Sequence, residues 1–232
     1  MARDDVVKVP SRRMDNIREV IRWSSHAGAV IPLVVLIIEY LTSNLSANPI
    51  QTAEQRTGKT ALFLLVIMLA VTPFQIFYKT RLLSGMKKRL GLYSFLYASI
   101  HLCIFIFLDY GLNWTSIFKQ LTQKTFIIYG FIAFTILLAL AITSFRWWKV
   151  KLGKNWKRLH RLVYLASILI LLHYAFGQKG DVMQLRGNLA QPVIYGSITM
   201  LLLLMRLPWV KKTLLMLVDK IRQIGKNGSN GL

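Results

Sequence analysis

Acidic side chains are scarce in this sequence, and cysteine is nearly missing. Nine Asp and Glu stand against 30 Lys and Arg, and Cys103 is the one cysteine among 232 residues. A lone cysteine can close no internal disulfide and form no CxxC pair, so thiol chemistry is set aside. Also missing are a GxGxxG turn, a P-loop and an acidic ribose-binding residue after a strand, which removes support for nicotinamide binding and phosphoryl transfer. No stretch reads as a soluble domain, and no internal repeat is legible. A cleavable signal peptide is not expected either: the first apolar run begins after some 22 mostly polar residues and lacks an A-x-A-like site.

What the chain has in abundance is apolar length. It is 54% hydrophobic, and uncharged windows run over 23–38, 60–78, 90–108, 125–145, 162–178 and 187–205. Each is close to the roughly 20 residues that cross a hydrocarbon core as a helix. The expected fold is therefore an all-α membrane protein with six transmembrane helices. Residues 1–22 form a cytoplasmic or interfacial segment, 23–207 the transmembrane domain and 208–232 a basic tail whose end, GKNGSNGL, reads as disordered. The basic residues explain the net charge of +21 without nucleic acid. They number 24 in 1–22, 79–90, 146–161 and 206–232, against 6 in the alternate loops. By the positive-inside rule both termini face the cytoplasm, and the expected location is the cell (inner) membrane.

Ionisable groups inside such windows are costly unless partnered, so the four histidines carry the functional argument. His101 lies 12 residues after Arg89, and His173 lies 12 after Arg161. The third and fifth spans run in the same direction, so both imidazoles sit about 18 Å above the basic edge. Two histidines facing each other at one depth suit the axial ligation of haem iron. His160 lies at the cytoplasmic edge, beside Arg158 and Arg161, with His26 at similar depth in the first span. A second haem could use His160 with His26, or His160 with water or another group; Arg158, Arg161 and Lys88 are placed to meet its propionates. One point resists this picture: 13 residues leave His160 and His173 about 140° apart around an ideal helix.

Plainer readings exist for each feature. His101 and His173 could be interhelical hydrogen-bonding groups, with Tyr97 or Ser99 as partners. His160 and His26 could be interfacial residues. The block RWWKVKLGKNWKR reads as an interfacial Trp and basic anchor, or as a docking surface for a cytosolic donor. Glu39 reads as interfacial. No residue is assigned a catalytic role.

Several collinear segments resemble the MsrQ (YedZ) family of the ferric-reductase-like transmembrane group: NPIQTAEQRTGKTAL (48–62), VTPF (71–74), KRLGLYSFLYASIHL (88–102), LALAITS (138–144), LGKNWKRLHRLVYL (152–165), LHYAF (172–176) and QPVIYG (191–196). The resemblance implies a six-helix haem-binding bundle that transfers electrons and leaves substrate chemistry to another subunit. It implies haem b (one or two) and FMN as cofactors. Its haem-associated histidines map onto His101, His160 and His173, and His26 also matches a family histidine. The implied donor is a quinol or a cytosolic flavin reductase, and the implied acceptor is an MsrP-like molybdopterin reductase on the outer side that repairs oxidised methionine. A stand-alone ferric or oxygen reductase is the alternative within redox chemistry. A non-redox scaffold or transporter with structural histidines is the alternative from another class.

Overall fold

The computed structural model describes residues 11–78, 80, 82–177, 180–181, 186–187 and 190–229. Expectations for 1–10, Lys79, Arg81, 178–179, 182–185, 188–189 and 230–232 lie outside these residues. Ten α-helices are described: α1 (Ser11–Leu41), α2 (Pro49–Phe77), α3 (Ser84–Cys103), α4 (Trp114–Gln123), α5 (Thr125–Ile142), α6 (Arg146–Leu152), α7 (Lys154–His160), α8 (Leu162–Phe176), α9 (Ala190–Leu204) and α10 (Pro208–Ser229). A π-helical segment, Ile104–Asp109, continues α3, and a two-residue antiparallel ladder pairs Gly180–Asp181 with Arg186–Gly187. Among the described residues five helical stretches are long and apolar enough to cross a membrane, and α9 with α10 makes a sixth when that bent pair is taken together.

The core is organised on α2. Asn48 caps its start by accepting from the Gln51 N–H at 3.2 Å, and Pro49 takes the first helical position, where its missing N–H costs nothing. Its 29 residues span about 43 Å. It buries a different face against each set of neighbours. Ala61, Leu64 and Val71 pack with Ala29 of α1 and Leu90 and Tyr97 of α3. Leu62, Val66 and Leu69 meet Leu202 of α9, and Leu65 meets Leu137 of α5 and Ala166 of α8. Polar side chains bridge the helices at buried points: Ser94 donates to the Ala61 carbonyl at 2.8 Å, and Tyr97 to the Ala29 carbonyl at 2.7 Å. Outward, Ile37 and Ile38 on α1, Phe131 and Ile132 on α5, and Leu165 and Ile168 on α8 are exposed. An apolar surface this continuous is suited to lipid rather than water.

Pro73 lies inside α2 and has no N–H, so the Leu69 carbonyl loses its helical donor. Arg206 supplies the replacement: its guanidinium donates to that carbonyl at 2.7 Å and to the Tyr164 hydroxyl at 2.8 Å, and lies over the Tyr164 ring. Arg206 sits where α9 gives way to α10, which turn through 82°. Helix α9 ends at Leu204, and Pro208 opens α10, as its fixed φ favours. That helix runs to Ser229, so 225–229, expected to be disordered, are helical.

At the opposite end of the bundle the Arg56 guanidinium pairs with Glu39, tying the end of α1 to the start of α2. On α1, Asp15–Arg18 and Glu19–Arg22 pair at 3.1 Å, three residues apart; such exposed pairs are worth only about 0.2–0.5 kcal/mol each. Residues 11–22 of the expected interfacial segment thus share one continuous helix with the first span.

Candidate functional site

His101 on α3 and His173 on α8 come together in the bundle, with ring centroids 6.0 Å apart and planes at 82°. Each ring is fixed from behind. His101 Nδ1 donates to the Glu54 carbonyl of α2 at 2.8 Å, and His173 Nδ1 donates to the Phe126 carbonyl of α5 at 2.8 Å. A carbonyl can only accept, so both protons lie on Nδ1 and both Nε2 lone pairs are left as ligands. Metal-bound histidines are oriented in this way, with the second nitrogen donating to a carbonyl or carboxylate. With metal–imidazole bonds of about 2.0–2.1 Å, two in-line imidazoles on one metal have ring centres about 6 Å apart, so the separation fits an iron between them.

The surroundings explain how the rings reach those carbonyls. Gly58 lies against the His101 ring, and Gly130 against the His173 ring. The π-helical segment begins three residues beyond His101, an irregularity of the kind common at functional sites. Near it, burial and the carboxylates of Asp109 and Glu54 push the Tyr110 phenol up from its ordinary value. Among the described residues no three His, Cys, Asp or Glu converge, so the pair is a two-imidazole site and not part of a multidentate metal cluster.

The other sequence-derived candidates sit apart. His160 stacks on Trp156 with centroids 4.1 Å apart, and its Nε2 meets the Thr143 hydroxyl at 3.2 Å. Trp156 in turn donates to the Thr143 carbonyl at 2.8 Å, so the three residues knot α7 to the end of α5. His26 bonds the Tyr93 hydroxyl of α3 through Nδ1 at 2.7 Å. His26 and His160 are thus engaged by different neighbours and are not brought into ring contact. Arg158, Arg161 and Lys88 are exposed, with the Lys88 ammonium over the Phe145 ring. The helix breaks at Arg161, whose N–H bonds back to Arg158 rather than four residues away, so α7 and α8 are separate helices.

A family model described as "Ferric reductase like transmembrane component" matches residues 57–171. A protein of Xanthomonas campestris pv. campestris named "Protein-methionine-sulfoxide reductase heme-binding subunit MsrQ" is 36% identical over 184 residues, covering 77% of this chain and 81% of its own. A protein of the same name from Herminiimonas arsenicoxydans is 36% identical over 183 residues, covering 78% and 82%. The one from Xanthomonas axonopodis pv. citri is 35% identical over 184 residues.

The chain belongs to the MsrQ family.

Within this MsrQ-family chain, the residues that counting along the sequence had missed are those behind the rings: Glu54, Gly58, Phe126 and Gly130. Backbone carbonyls leave no mark on a sequence. The glycines did leave one, since each stands four residues after its carbonyl.

Proposed function

We propose that this chain is a haem b membrane subunit that carries electrons to a methionine-sulfoxide reductase of MsrP type on the outer side of the inner membrane, with quinol or a cytosolic flavin reductase as donor. The His101–His173 pair carries the reading. The two rings are anchored through Nδ1, which leaves each Nε2 atom free to ligate, and their centroids lie 6.0 Å apart, a separation suited to one iron. Haem held there supplies one-electron chemistry, and substrate conversion belongs to the partner.

The chain's own residues do the rest. Glu54 and Phe126 fix each imidazole's tautomer and orientation through their carbonyls. Leu65, Leu137 and Ala166 form a buried apolar layer between the two helical hairpins, and burial of this kind tunes a haem potential. Residues 23–207 form the working unit, and the 24-to-6 basic asymmetry supports placing both termini in the cytoplasm. The MsrQ name of the relatives supports the haem and the sulfoxide reductase partner. By resemblance FMN is a further cofactor. An inner haem on His160, with Arg158 and Arg161 near its propionates, requires Thr143 to release the Nε2 atom.

The family model's description favours one alternative, direct reduction of ferric iron; reduction of oxygen at the same site is its close variant. Stopped-flow reoxidation of the dithionite-reduced protein separates the two. Oxidation by an MsrP-type partner that greatly outpaces oxidation by ferric chelates or oxygen is expected. Equal or faster oxidation by iron or oxygen alone would overturn the partner reading.

A further inference from the structure

The two halves of the site are built alike. From the carbonyl that holds the ring to the histidine is 47 residues in both cases, Glu54 to His101 and Phe126 to His173. A glycine follows each carbonyl by four residues, Gly58 and Gly130, and an arginine precedes each histidine by twelve, Arg89 and Arg161. Every member of the second set lies 72 positions after its counterpart: 54 and 126, 58 and 130, 89 and 161, 101 and 173. The match extends to buried packing positions, Ala61 with Ala133, Leu65 with Leu137, and Ser94 with Ala166. The helices α2 and α5 run one way, and α3 and α8 the other. Two hairpins of the same direction are related by an axis along the membrane normal, which puts equivalent residues at equal depth. Equal depth is what brings His101 opposite His173. The likeness fails at the basic edge, where Lys88 stands in the first hairpin at the position of His160 in the second.

The glycines have a geometric task in this arrangement. In a helix the carbonyl of one residue points toward the residue four further on, and Cβ atoms tilt toward the helix N-terminus. A side chain four residues after the carbonyl therefore covers it. With glycine there, an imidazole from the neighbouring helix can reach the carbonyl. The two clamps differ in tightness. A Cβ on Gly58 would lie 3.1 Å from His101 Nδ1 and 3.2 Å from its Cε1. A Cβ on Gly130 would lie 2.6 Å from His173 Nδ1 and 2.8 Å from its Cε1, distances at which the ring must move. No such contact awaits a Cβ on Gly91, in the same helix as His101.

We infer that Gly58 and Gly130 are paired positioning residues of a duplicated hairpin: each opens a helix carbonyl to the imidazole Nδ1 and so sets the direction of the opposite nitrogen, with Gly130 the stricter of the two. This rests on the bis-imidazole haem site proposed above. The role is one of ligand orientation, so its signature is the electronic state of the iron and not simply the amount of folded protein.

The test compares Gly130→Ala, Gly58→Ala and the control Gly91→Ala in the full-length, membrane-expressed protein, by electron paramagnetic resonance and redox titration. Gly130→Ala is expected to lose most of the low-spin signal in favour of high-spin iron or haem-free protein. Gly58→Ala should keep its haem with shifted g-values and midpoint potential, and Gly91→Ala should match wild type. Wild-type g-values and potential in Gly130→Ala would overturn the inference, as would an equal disturbance by Gly91→Ala. Should Gly130→Ala fail to accumulate, Gly58→Ala decides: an unaltered signal and potential there sink the idea. If the wild type binds no haem, the functional reading fails and the clamp is judged on haem-free protein labelled with ¹⁵N-histidine. Two slowly exchanging ring N–H resonances, one of them lost in Gly58→Ala or Gly130→Ala, support it; their persistence in both variants refutes it.

Discussion

At the scale of single residues, the two imidazoles set the chemistry and their tautomers set the geometry. On the proposed reading, replacing either histidine would remove a haem ligand, and among the described residues no cluster of three His, Cys, Asp or Glu stands in for it. Loss of low-spin haem is expected in both His101→Ala and His173→Ala, checked by pyridine haemochrome assay and resonance. The ring planes lie at 82°, so the wild-type low-spin signal should be of the strongly anisotropic kind given by near-perpendicular axial imidazoles. A signal typical of parallel rings would contradict the observed orientation. His160 makes a different forecast. Its Nε2 atom is engaged by Thr143, so His160→Ala should leave the His101–His173 haem in place, its low-spin signal intact. Disappearance of that signal would mean the inner histidine supports the outer site. Counting residues from the basic edge was enough to pair His101 with His173, since depth in a helix is linear in sequence. It could not reveal the Thr143–His160 contact, because a side-chain hydrogen bond between helices leaves no mark on the spacing.

At the scale of elements, interruptions in the helices matter as much as their lengths. Pro73 releases the Leu69 carbonyl, and Arg206 answers it from 137 residues away while also holding Tyr164. Hydrogen bonds to charged groups contribute about 1.5–3 kcal/mol each. Arg206→Ala is therefore expected to lower the thermal midpoint by several degrees, measured by fluorescence unfolding in detergent. Arg206→Lys should recover only part, because an ammonium cannot reproduce the planar fork. A midpoint unchanged in Arg206→Ala would show that the bend between α9 and α10 does not depend on this contact. The spans themselves were legible from apolar runs, and Asn48 and Pro49 are the cap and first residue of α2. The extension of α10 to Ser229 was not. Gly and Asn near a terminus read as disorder, while the amphipathic turns before them carry the helix onward.

At the scale of the whole molecule, one sheath of lipid-facing side chains encloses two similar hairpins centred on α2 and α5, with a basic end and an opposite end. Its orientation is testable with single cysteines in a Cys103→Ser background. Ser229→Cys should react with a membrane-impermeant maleimide only after the cells are opened, and Ser46→Cys in intact cells whose outer membrane is permeabilised. The reverse pattern would invert the proposed topology. The duplication escaped the sequence because its copies share few residues beyond the glycine, arginine and histidine marks; equal depth and equal contacts disclose it. The central claim, that two carbonyl-anchored imidazoles hold one haem, is tested most directly by the optical and resonance spectra of the purified full-length protein beside His101→Ala and His173→Ala. A Soret band and low-spin signal in the wild type, both lost in each variant, are the expected result. A colourless wild type after haem reconstitution, or full low-spin haem in either variant, would contradict it.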